Sequence, residues 1–589
     1  MGCVVKACLC GILFIMNSPE AKRHTLAHLL AQAVLEHYPN AQLTLGPAID
    51  NGFYYDIDFG PEKISDTDFP KLEATMRKHL PTWKEFTSEK VSKDKALAQF
   101  GGNEYKAELI GEIEGRGEDM TLYTCGGFTD LCRGGHVEHP ATEIDPDSFS
   151  LDRVAGAYWR GDEKNPMLTR IYGLAFDTKE ELDAYRTQRE EARARDHKIL
   201  GPKFELLMFH HTAPGMPYWL PKGVLLYNEL VQFWREEHQR REYQEIASPL
   251  LNKKELYVTS GHYEHFWPDM FTVKTTENEE YGVKAMNCPN AMIVFGSKTR
   301  SYRDLPLRLS DTDTLHRNEL SGTLNGLLRV REFRQDDAHI FVAEEDIGAE
   351  YKRVFEIVER FYSIFGMSYT FRLGTRPESF MGEISTWDKA EAALKQILEA
   401  SGKEYFVLAG DGAFYGPKVD IVMKDVLGRE WQMGTIQLDF QQPARFKLEY
   451  AAADGTQKTP VAIHRVIYGS MERFIGILIE HYAGAFPLWL SPVQVRVLPV
   501  SEKHNSYAQE ILSELKAANI RAEVDDSNET LGKKIRAGKT EKIPYLLVVG
   551  DKEVEAKTVS VESRDKGKLD AVSVADFVAK ASEEIKLRK

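Results

Sequence analysis

Three side chains that could bind a metal ion lie far apart in the chain: Cys288 in AMNCPN, His339 in QDDAHIF and His464 in AIHRVIYGS. A thiolate and two imidazoles suit tetrahedral Zn²⁺, and three protein ligands would leave one coordination position open. No local metal-binding spacing relates these residues. Each could instead be a buried cysteine or a hydrogen-bonded histidine, so only the fold can assemble this candidate site.

A second candidate set lies nearer the N-terminus. His24 and His28 stand at i and i+4, so on a helix they share one face. The segment Cys132-Arg-Gly-Gly-His136 places a thiol and a third imidazole on a glycine-rich loop. This pattern is compatible with zinc, but no glutamate follows His24, which excludes a His-Glu-x-x-His metalloprotease site. The alternative is that the two helix histidines only pack at an edge of the fold.

Several arginines have the surroundings expected of a nucleotide site. Arg317 lies in HRNE, Arg329 opens RVREFRQDDAH, and Arg473 lies in GSMERFIG at the start of an apolar helix. ATP activation of a carboxylate needs guanidinium groups on the phosphates, because charge develops there in the transition state. It also needs an aromatic or guanidinium plane for adenine. Any one of these arginines could instead form a surface ion pair.

The elements that would position these residues can be read from periodicity. Apolar residues at Leu26, Leu29, Leu30, Ala33 and Val34 predict a helix over 22–37. A highly charged stretch predicts a solvent-exposed connecting helix, and alternating strands after it predict an antiparallel sheet. The last segment alternates short strands with amphipathic helices. We therefore predict an α+β multidomain protein with an N-terminal extension at 1–16, a first domain at 17–177, a linker helix at 178–197, a large domain at 198–487 and a C-terminal domain at 488–589.

Composition limits the class of protein. The chain has 589 residues, of which 42% are hydrophobic and 28% are charged, and this excludes a disordered, collagen-like or repeat protein. Asp and Glu total 90 against 75 Lys and Arg, so the protein is not a non-specific nucleic-acid coat. The six cysteines form no paired framework, which predicts a reducing, cytoplasmic environment.

The extreme N-terminus is apolar from residue 2 to residue 16 except at Lys6. It is shorter than the ~20 residues that span a bilayer, and it lacks both a signal-peptide cleavage site and the Ser or Thr of a myristoylation signal. We interpret it as an upstream misread start, with Met16 as the true first residue. The alternative is a membrane-associating tail; we expect no membrane partner.

Pro249, Arg317 with Glu319, and Arg473 resemble, in order, motifs 1, 2 and 3 of the class II aminoacyl-tRNA synthetases. From about residue 22 to residue 585 the chain resembles the bacterial-type threonyl-tRNA synthetases. The strongest matches are AGAYWRGD at 155–162, GAFYGPK at 412–418, WQMGTIQLDF at 431–440 and GSMERFIGILIEH at 469–481. The family often carries an N-terminal ubiquitin-like domain before the editing domain, and we expect this chain to lack it.

The resemblance implies an antiparallel class II catalytic core, an N-terminal α/β editing domain and a C-terminal α/β anticodon-binding domain. It implies ATP-dependent ligation of L-threonine to tRNA(Thr) through threonyl-adenylate, with Mg²⁺ accompanying ATP, and a homodimer that uses motif 1. One Zn²⁺ per subunit would be held by Cys288, His339 and His464. Valine lacks the hydroxyl that such a metal demands, whereas serine lacks only a methyl worth roughly 1–3 kcal/mol, so hydrolytic editing of seryl-tRNA(Thr) is also expected.

Roles for individual residues follow from the resemblance. Arg317 would bind the α-phosphate, Arg329 and Arg473 the distal phosphates, and His262 would assist transfer to tRNA. The remaining residues fall into four groups: Glu319, Phe333 and Gln432 for the nucleotide; Gln335, Asp337 and Tyr415 for the amino acid; His24, His28, Cys132, His136, Tyr55, Lys106 and Asp130 for editing; and Asn528 and Arg536 for the anticodon. Lys533, Lys534 and Lys539 recur with Arg536 at helical spacing, and would face either RNA or solvent.

The chain also departs from the family. Asn290-Ala291 replaces Gly-His after Pro289, Glu332 and Arg334 replace smaller residues beside Phe333, and Glu562 stands where an arginine is usual. Two alternatives to the threonine ligase stay open: a catalytically silent tRNA-binding paralogue, and a sister ligase of the prolyl or seryl type. Arg317, Arg473 and the complete Cys288, His339 and His464 set argue against the paralogue. The same set together with the N-terminal histidines and cysteine argues against the sister ligase.

Overall fold

The computed structural model describes residues 18–426 and 428–588, so the predicted N-terminal extension lies outside the described residues. The chain divides into two compact units between Glu190 and Glu191. Within the described residues, no helix has both the length and the apolar character that crossing a bilayer requires.

The first unit is built around the helix Pro19–His37. The Ser18 side chain caps this helix by accepting a hydrogen bond from the Ala21 backbone, and Pro19 occupies its first turn. The predicted apolar stripe is buried, so the helix expected over 22–37 is confirmed and begins slightly earlier. The other helices of this unit are Phe69–His79, Lys93–Phe100, Glu104–Gly115 and Pro140–Glu143.

Two antiparallel sheets complete the first unit. The larger one has the strand order Gln42–Leu43, Gly52–Asp58, Met167–Ala175 and Phe149–Tyr158, and Ala48–Ile49 also pairs with Gly52–Asp58. The smaller one has the order Thr87–Val91, Met120–Cys125 and Phe128–Leu131. The strongly charged segment that follows forms the helix Lys179–Arg195.

The second unit contains an eight-stranded sheet. Its order is Gln244–Glu245, Leu307–Asp311, Asp337–Val342, Val461–Val466, Glu430–Asp439, Lys418–Lys424, Tyr369–Gly374 and Tyr405–Leu408. The first and last pairs are parallel, and all the pairs between them are antiparallel. The predicted antiparallel sheet is therefore present, with a parallel strand added at each edge.

The shorter helices Lys254–Ser260, His262–His265, Cys288–Gly296 and Gln442–Arg445 lie in the same part of the chain. Other helices share the main hydrophobic core with this sheet: His197–Lys203, Pro221–Gln239, Ile347–Ser363, Ile384–Ser401 and Met471–Tyr482. The last begins at Ser470, whose hydroxyl accepts the Arg473 backbone N–H, as the sequence predicted for an element opening at GSMER. The strands Thr314–His316 and Glu332–Arg334 pair with each other and flank the segment that contains Arg317 and Arg329.

Short strands form three smaller sheets in the same part of the chain. They pair as Leu207–Met208 with Tyr218–Trp219; Leu251–Lys253 and Thr272–Lys274 with Glu280–Val283; and Arg300–Ser301 and Gln457–Lys458 with Tyr450–Ala451. Pro249 precedes Leu251–Lys253, where a residue unable to donate a ladder hydrogen bond is tolerated.

The C-terminal part has its own sheet and core. The strand order is Ala522–Val524, Val495–Pro499, Tyr545–Val549, Thr558–Ser563 and Gly567–Lys568, and Val572–Ser573 also pairs with Thr558–Ser563. The first three strands are parallel. The helices Asn505–Ala517, Leu531–Thr540, Asp551–Ala556 and Val574–Leu587 lie between or after the strands, as expected of a small α/β domain.

Candidate active site and candidate hydrolytic site

Sheet pairing brings the predicted metal ligands together. His339 and His464 are directly opposite each other on adjacent antiparallel strands, and Cys288 is the first residue of the helix Cys288–Gly296. All three residues are buried, and their ligand atoms lie within 4.8 Å of one another. The strand register thus assembles what the linear spacing could not.

The donor set fits a divalent metal. His464 Nε2 lies 2.8 Å from the Asp439 carboxylate, while its Nδ1 is buried without a hydrogen-bond partner in the structure. A histidine that pairs one ring nitrogen with a carboxylate commonly offers the other to a metal. Burial raises the pKa of the Cys288 thiol well above its usual range, and the nearby Asp337 charge adds to this. A bound cation would supply the charge that the thiolate needs.

Every residue predicted for zinc binding, for threonine activation or for transfer to tRNA lines one cavity of about 480 Å³. These residues are His262, Cys288, Arg317, Glu319, Arg329, Phe333, Gln335, Asp337, His339, Tyr415, Gln432, His464 and Arg473. The same cavity therefore contains both the candidate metal ligands and the guanidinium groups of the three arginines.

The guanidinium groups are held by the protein backbone as well as by charge. Arg473 Nε donates to the Leu328 carbonyl at 2.9 Å, and its Nη1 donates to the Gln432 carbonyl at 3.3 Å. Arg329 pairs with Glu319 at 2.8 Å. Burial lowers the pKa of Arg473, and the positive charge of Arg329 lowers it further. Two cations that repel each other in a cavity favour a polyanionic ligand.

Arg317 lies between aromatic rings. Its guanidinium carbon is 5.1 Å from the centre of the Phe333 ring and 5.5 Å from that of Phe266. Its Nε donates to the Ala285 carbonyl at 3.3 Å, which leaves the guanidinium edge available. Burial lowers the pKa of Arg317. Phe333 thus offers a flat apolar surface beside a fixed positive charge, an arrangement suited to a nucleotide.

Polar residues surround the candidate metal ligands. The Asp337 carboxylate accepts a hydrogen bond from Asn287 at 3.2 Å, and burial together with the neighbouring Asp311 raises its pKa to about 8. The Tyr415 hydroxyl donates to Gln437. Gln335 forms an isolated antiparallel β-bridge with Ser470. These groups could recognise the amine and hydroxyl of a small ligand, and an ammonium group would stabilise the Asp337 carboxylate.

Gln432 and His262 are oriented by their own neighbours. The Gln432 amide accepts from Arg372 at 2.6 Å and donates to Asp420 at 2.8 Å. His262 Nδ1 lies 2.8 Å from the Ser260 hydroxyl, and burial lowers the His262 pKa to about 3. His262 is therefore a neutral imidazole at the wall of the cavity.

The second candidate set also assembles. His24 and His28 lie on one face of the helix Pro19–His37 with their Nε2 atoms 3.2 Å apart. Cys132 Sγ lies 3.5 Å from His24 Nε2 and 3.4 Å from His136 Nε2. Burial lowers the pKa of all three histidines, to about 2 for His136, and raises that of Cys132 to about 11. The four groups are therefore neutral at physiological pH.

A buried polar network lies under these side chains. Lys106 Nζ pairs with Asp130 at 2.6 Å, the Tyr55 hydroxyl donates to Asp130 at 2.7 Å, and His28 Nδ1 lies 3.4 Å from the same carboxylate. A cavity of about 540 Å³ is lined by all of the predicted editing residues except His136, which stacks on His24 with ring centres 4.3 Å apart. The site can hold a polar ligand and a water beside neutral imidazoles.

The C-terminal residues divide into exposed and buried ones. Asn528 and Arg536 are exposed, as an RNA contact requires. Lys534 is buried and donates to the backbone carbonyls of Asp525 and Pro499, so the expectation that it faces RNA or solvent is wrong. Lys539 pairs with Glu562 at 2.6 Å. A helix-face pattern cannot show that one lysine of the set points into the domain.

Sequence reasoning missed two residues that support the candidate metal site. Asp439 is buried against His464, and Asn287 donates to Asp337. Asp439 ends the strand Glu430–Asp439, which pairs with Val461–Val466. A correct strand alignment would have identified it as the histidine's partner, whereas its local sequence carries no such signal.

Comparison with known families agrees with this arrangement. Residues 271–482 match the tRNA synthetase class II core domain (G, H, P, S and T), and residues 494–584 match an anticodon-binding domain. Residues 120–172 match the threonyl and alanyl tRNA synthetase second additional domain. These matches confirm the predicted fold class.

Individual relatives are similar over nearly the whole chain. The threonine–tRNA ligase of Thermotoga petrophila is 48% identical over 97% of this chain and 89% of its own length. That of Clostridioides difficile is 47% identical over 98% of this chain and 90% of its own length. A crystal structure of the RNA-binding domain of threonyl-tRNA synthetase from Cryptosporidium parvum is 41% identical, covers 66% of this chain and 98% of that chain, and superposes with a TM-score of 0.65. The chain therefore belongs to the threonine–tRNA ligase family of class II aminoacyl-tRNA synthetases.

Proposed function

We propose that this protein ligates L-threonine to tRNA(Thr) through threonyl-adenylate and hydrolyses mischarged seryl-tRNA(Thr) at a second site. The observation that carries the proposal is the single cavity that joins the Cys288, His339 and His464 cluster to the arginines of motifs 2 and 3. A catalytically silent paralogue has no need to keep both features in one cavity.

Three functional domains follow from this proposal. Residues 17–177 form the editing domain, 178–197 the linker helix, 198–487 the catalytic domain and 488–589 the anticodon-binding domain. The family-model matches at 120–172, 271–482 and 494–584 each fall inside one of these ranges and support the division.

The amino acid is selected beside the buried cysteine and histidines. Cys288, His339 and His464 would hold one Zn²⁺ per subunit, which when bound supplies a Lewis acid with an open position for the amine and hydroxyl of threonine. Asp439 fixes the orientation of the His464 ring. Asp337, Gln335 and Tyr415 accept or donate the remaining hydrogen bonds of the amino acid.

Activation depends on the positive side chains of the same cavity. Arg317 binds the α-phosphate, while Arg329 and Arg473 bind the distal phosphates, with Mg²⁺ accompanying ATP. Phe333 stacks on the adenine, and Glu319 and Gln432 contact the nucleotide. The backbone hydrogen bonds of Arg473 fix its guanidinium before the substrate arrives, so little reorganisation is needed in the transition state.

Transfer to tRNA needs a proton acceptor near the amino acid. His262 is neutral and 4% exposed, and its Nε2 lies 3.9 Å from Cys288 Sγ at the cavity wall, where it could accept a hydrogen bond from the tRNA ribose hydroxyl. Asn528 and Arg536 contact the anticodon. The two side chains are exposed, and they lie within residues 494–584, which match an anticodon-binding domain; both facts support contact with the anticodon.

Editing uses the first unit. His24, His28, Cys132 and His136 orient the tRNA 3′ end and a hydrolytic water, and the Tyr55, Lys106 and Asp130 network fixes the position of His28. Neutral imidazoles can accept hydrogen bonds from that water. Zinc-based selection cannot exclude serine, which offers the same amine and hydroxyl.

The protein would act in the cytoplasm as a homodimer. Leu250 and Leu251 follow Pro249 in the motif 1 segment and are 43% and 49% exposed. Apolar side chains exposed together on one segment favour a protein contact.

The test is ATP–pyrophosphate exchange, followed by charging of tRNA(Thr). The proposal predicts exchange that depends on threonine and that serine supports only weakly. Exchange with no amino acid specificity, or none at all, would leave the silent paralogue as the better account.

A further inference from the structure

His197 is a fully buried histidine outside the proposed catalytic machinery. It begins the helix His197–Lys203, and both of its ring nitrogens are hydrogen bonded. The Leu327 backbone N–H donates to Nε2 at 3.0 Å, and Nδ1 lies 2.7 Å from a carboxylate oxygen of Glu480. The ring therefore links two segments that are distant in the sequence.

These contacts fix the proton on the ring. Because Nε2 accepts the Leu327 N–H, the neutral ring carries its hydrogen on Nδ1 and donates it to Glu480. Asp196, His197 and Glu480 also group their ligand atoms within 4.8 Å of one another. Neither ring nitrogen has a lone pair left for a metal, so this cluster acts as a structural link.

One segment held by His197 reaches the proposed ATP site. Leu327 is followed by Leu328, whose carbonyl accepts from Arg473 Nε at 2.9 Å, and by Arg329. Leu328, Arg329 and Arg473 all line the active-site cavity. A displacement of the Leu327 backbone would therefore move the acceptor that orients Arg473.

The second segment is the helix that carries Arg473 itself. Glu480 lies near the end of the helix Met471–Tyr482, and its other oxygen pairs with Arg429. Gly476 of this helix packs against the Leu327 side chain, where an added Cβ would lie 3.1 Å from Leu327 Cβ. The His197 ring thus joins the helix that carries Arg473 to the turn that contains Leu328, and the Leu328 carbonyl accepts the hydrogen bond of Arg473.

The turn lies directly against the ring. Gly326 has a φ of +51°, and a Cβ at this position would lie 2.2 Å from His197 Nε2. A side chain here would separate the turn from the imidazole. Glycine is therefore required both by the backbone conformation and by the approach of His197.

We propose that His197 is a positioning residue for ATP: it holds the Leu327–Arg329 turn against the motif 3 helix, so that Arg473 and Arg329 face the triphosphate. This inference rests on the proposed threonine activation. It assigns His197 no contact with substrate, because it acts only through the backbone of Leu327 and the carboxylate of Glu480.

Two substitutions separate the ring's hydrogen bonds. In His197→Gln the amide oxygen reaches the place of Nε2 and can still accept the Leu327 N–H, while the backbone N–H of residue 197 keeps its hydrogen bond to Glu480. In His197→Asn the shorter amide can donate to Glu480 but leaves the Leu327 N–H without a partner. Because an unpaired buried donor is costly, the turn is expected to move towards another partner and so to displace the Leu328 carbonyl that orients Arg473. We expect this displacement to weaken ATP binding on the order of 10-fold to 100-fold.

The measurement is threonine-dependent ATP–pyrophosphate exchange with varied ATP and then varied threonine. We expect His197→Asn to raise KM for ATP by about 10-fold or more with KM for threonine nearly unchanged, and His197→Gln to stay within about 3-fold of the unaltered protein. Equal KM values for ATP in all three proteins, or a parallel loss for ATP and threonine, would overturn the inference.

A second variant covers the case in which His197→Asn does not fold. Gly326→Ala keeps the imidazole but pushes the turn away from it, and should likewise raise KM for ATP selectively. An unchanged KM for ATP in this variant counts against the role of His197. Failure of the unaltered protein to catalyse threonine-dependent exchange would instead refute the proposed function, so the two failures are distinguishable.

Discussion

His339 and His464 are register partners on adjacent antiparallel strands, with ring centres 4.9 Å apart and planes inclined at 83°. Cys288 reaches the same place from the start of a helix. Because strand pairing fixes the positions of both histidines, the distance between these two candidate metal ligands is determined by the register of the sheet. A substitution near the site can therefore alter metal affinity without removing a ligand.

Asp439→Asn should weaken zinc binding. The substitution keeps one oxygen for the Gln441 and Gln442 backbone N–H groups but removes the carboxylate that faces His464 Nε2. We expect zinc affinity to fall about 10-fold to 100-fold and KM for threonine to rise, with KM for ATP unchanged. Competition with a chelator measures the affinity. Asp388→Asn, at an exposed carboxylate, is the matched control; equal zinc affinity in the two variants would refute the role of Asp439.

The combined change His24→Ala with His28→Ala should abolish editing and spare synthesis. Both side chains line the cavity of the first unit, whereas the proposed activation site is the other cavity. Seryl-tRNA(Thr) should accumulate while threonylation continues at its normal rate. His37→Ala, on the same helix but paired with Thr75, is the control. Normal clearance of seryl-tRNA(Thr) by the double variant would end the assignment.

Stability should fall as the pH drops below about 6.5. Burial holds the folded-state pKa of His24, His28 and His136 below the unfolded value, so the unfolded chain binds more protons in acid. The contribution of each histidine is fully present above the unfolded pKa and is lost as the pH falls towards the folded one, at up to about 1.4 kcal/mol per pH unit.

His136→Phe tests this pH dependence, because it keeps a ring against Phe86, on which His136 stacks with ring centres 4.2 Å apart. The variant should lose less stability than the unaltered protein between pH 7.5 and pH 5.5, as measured by denaturant unfolding. An identical loss in both proteins would show that His136 does not titrate on unfolding.

Arg536→Ala should weaken the use of tRNA without affecting activation. Arg536 is exposed on the helix Leu531–Thr540, outside the catalytic cavity. We expect KM for tRNA(Thr) to rise by roughly 5-fold to 100-fold, the range for one lost base contact, with ATP–pyrophosphate exchange unchanged. Lys533→Ala on the same helix, where the lysine pairs with Glu529, is the comparison. An equal effect of both substitutions would indicate a general charge effect.

Local periodicity was sufficient to predict individual elements. The apolar stripe from Leu26 to Val34 gives the helix Pro19–His37, and GSMER gives a capped helix at Met471. Likewise, alternation identifies the antiparallel sheet. These signals depend on residues within one or two turns of each other, so they survive without knowledge of the tertiary fold.

Long-range pairing was not predictable from the same signals. The approach of His339 to His464, and of Asp439 to His464, depends on strand register. Lys534 fits a basic helix face in sequence but turns inward, where its ammonium donates to the backbone carbonyls of Asp525 and Pro499. Resemblance to a family supplied the metal-ligand set that spacing could not.

The most direct test of the account is zinc content measured together with threonine-dependent ATP–pyrophosphate exchange, in the unaltered protein and in Cys288→Ser. We expect one zinc per chain in the unaltered protein, and loss of both the zinc and threonine activation in the variant. A metal-free protein that activates threonine normally, or a Cys288→Ser variant that keeps full activity, would contradict it.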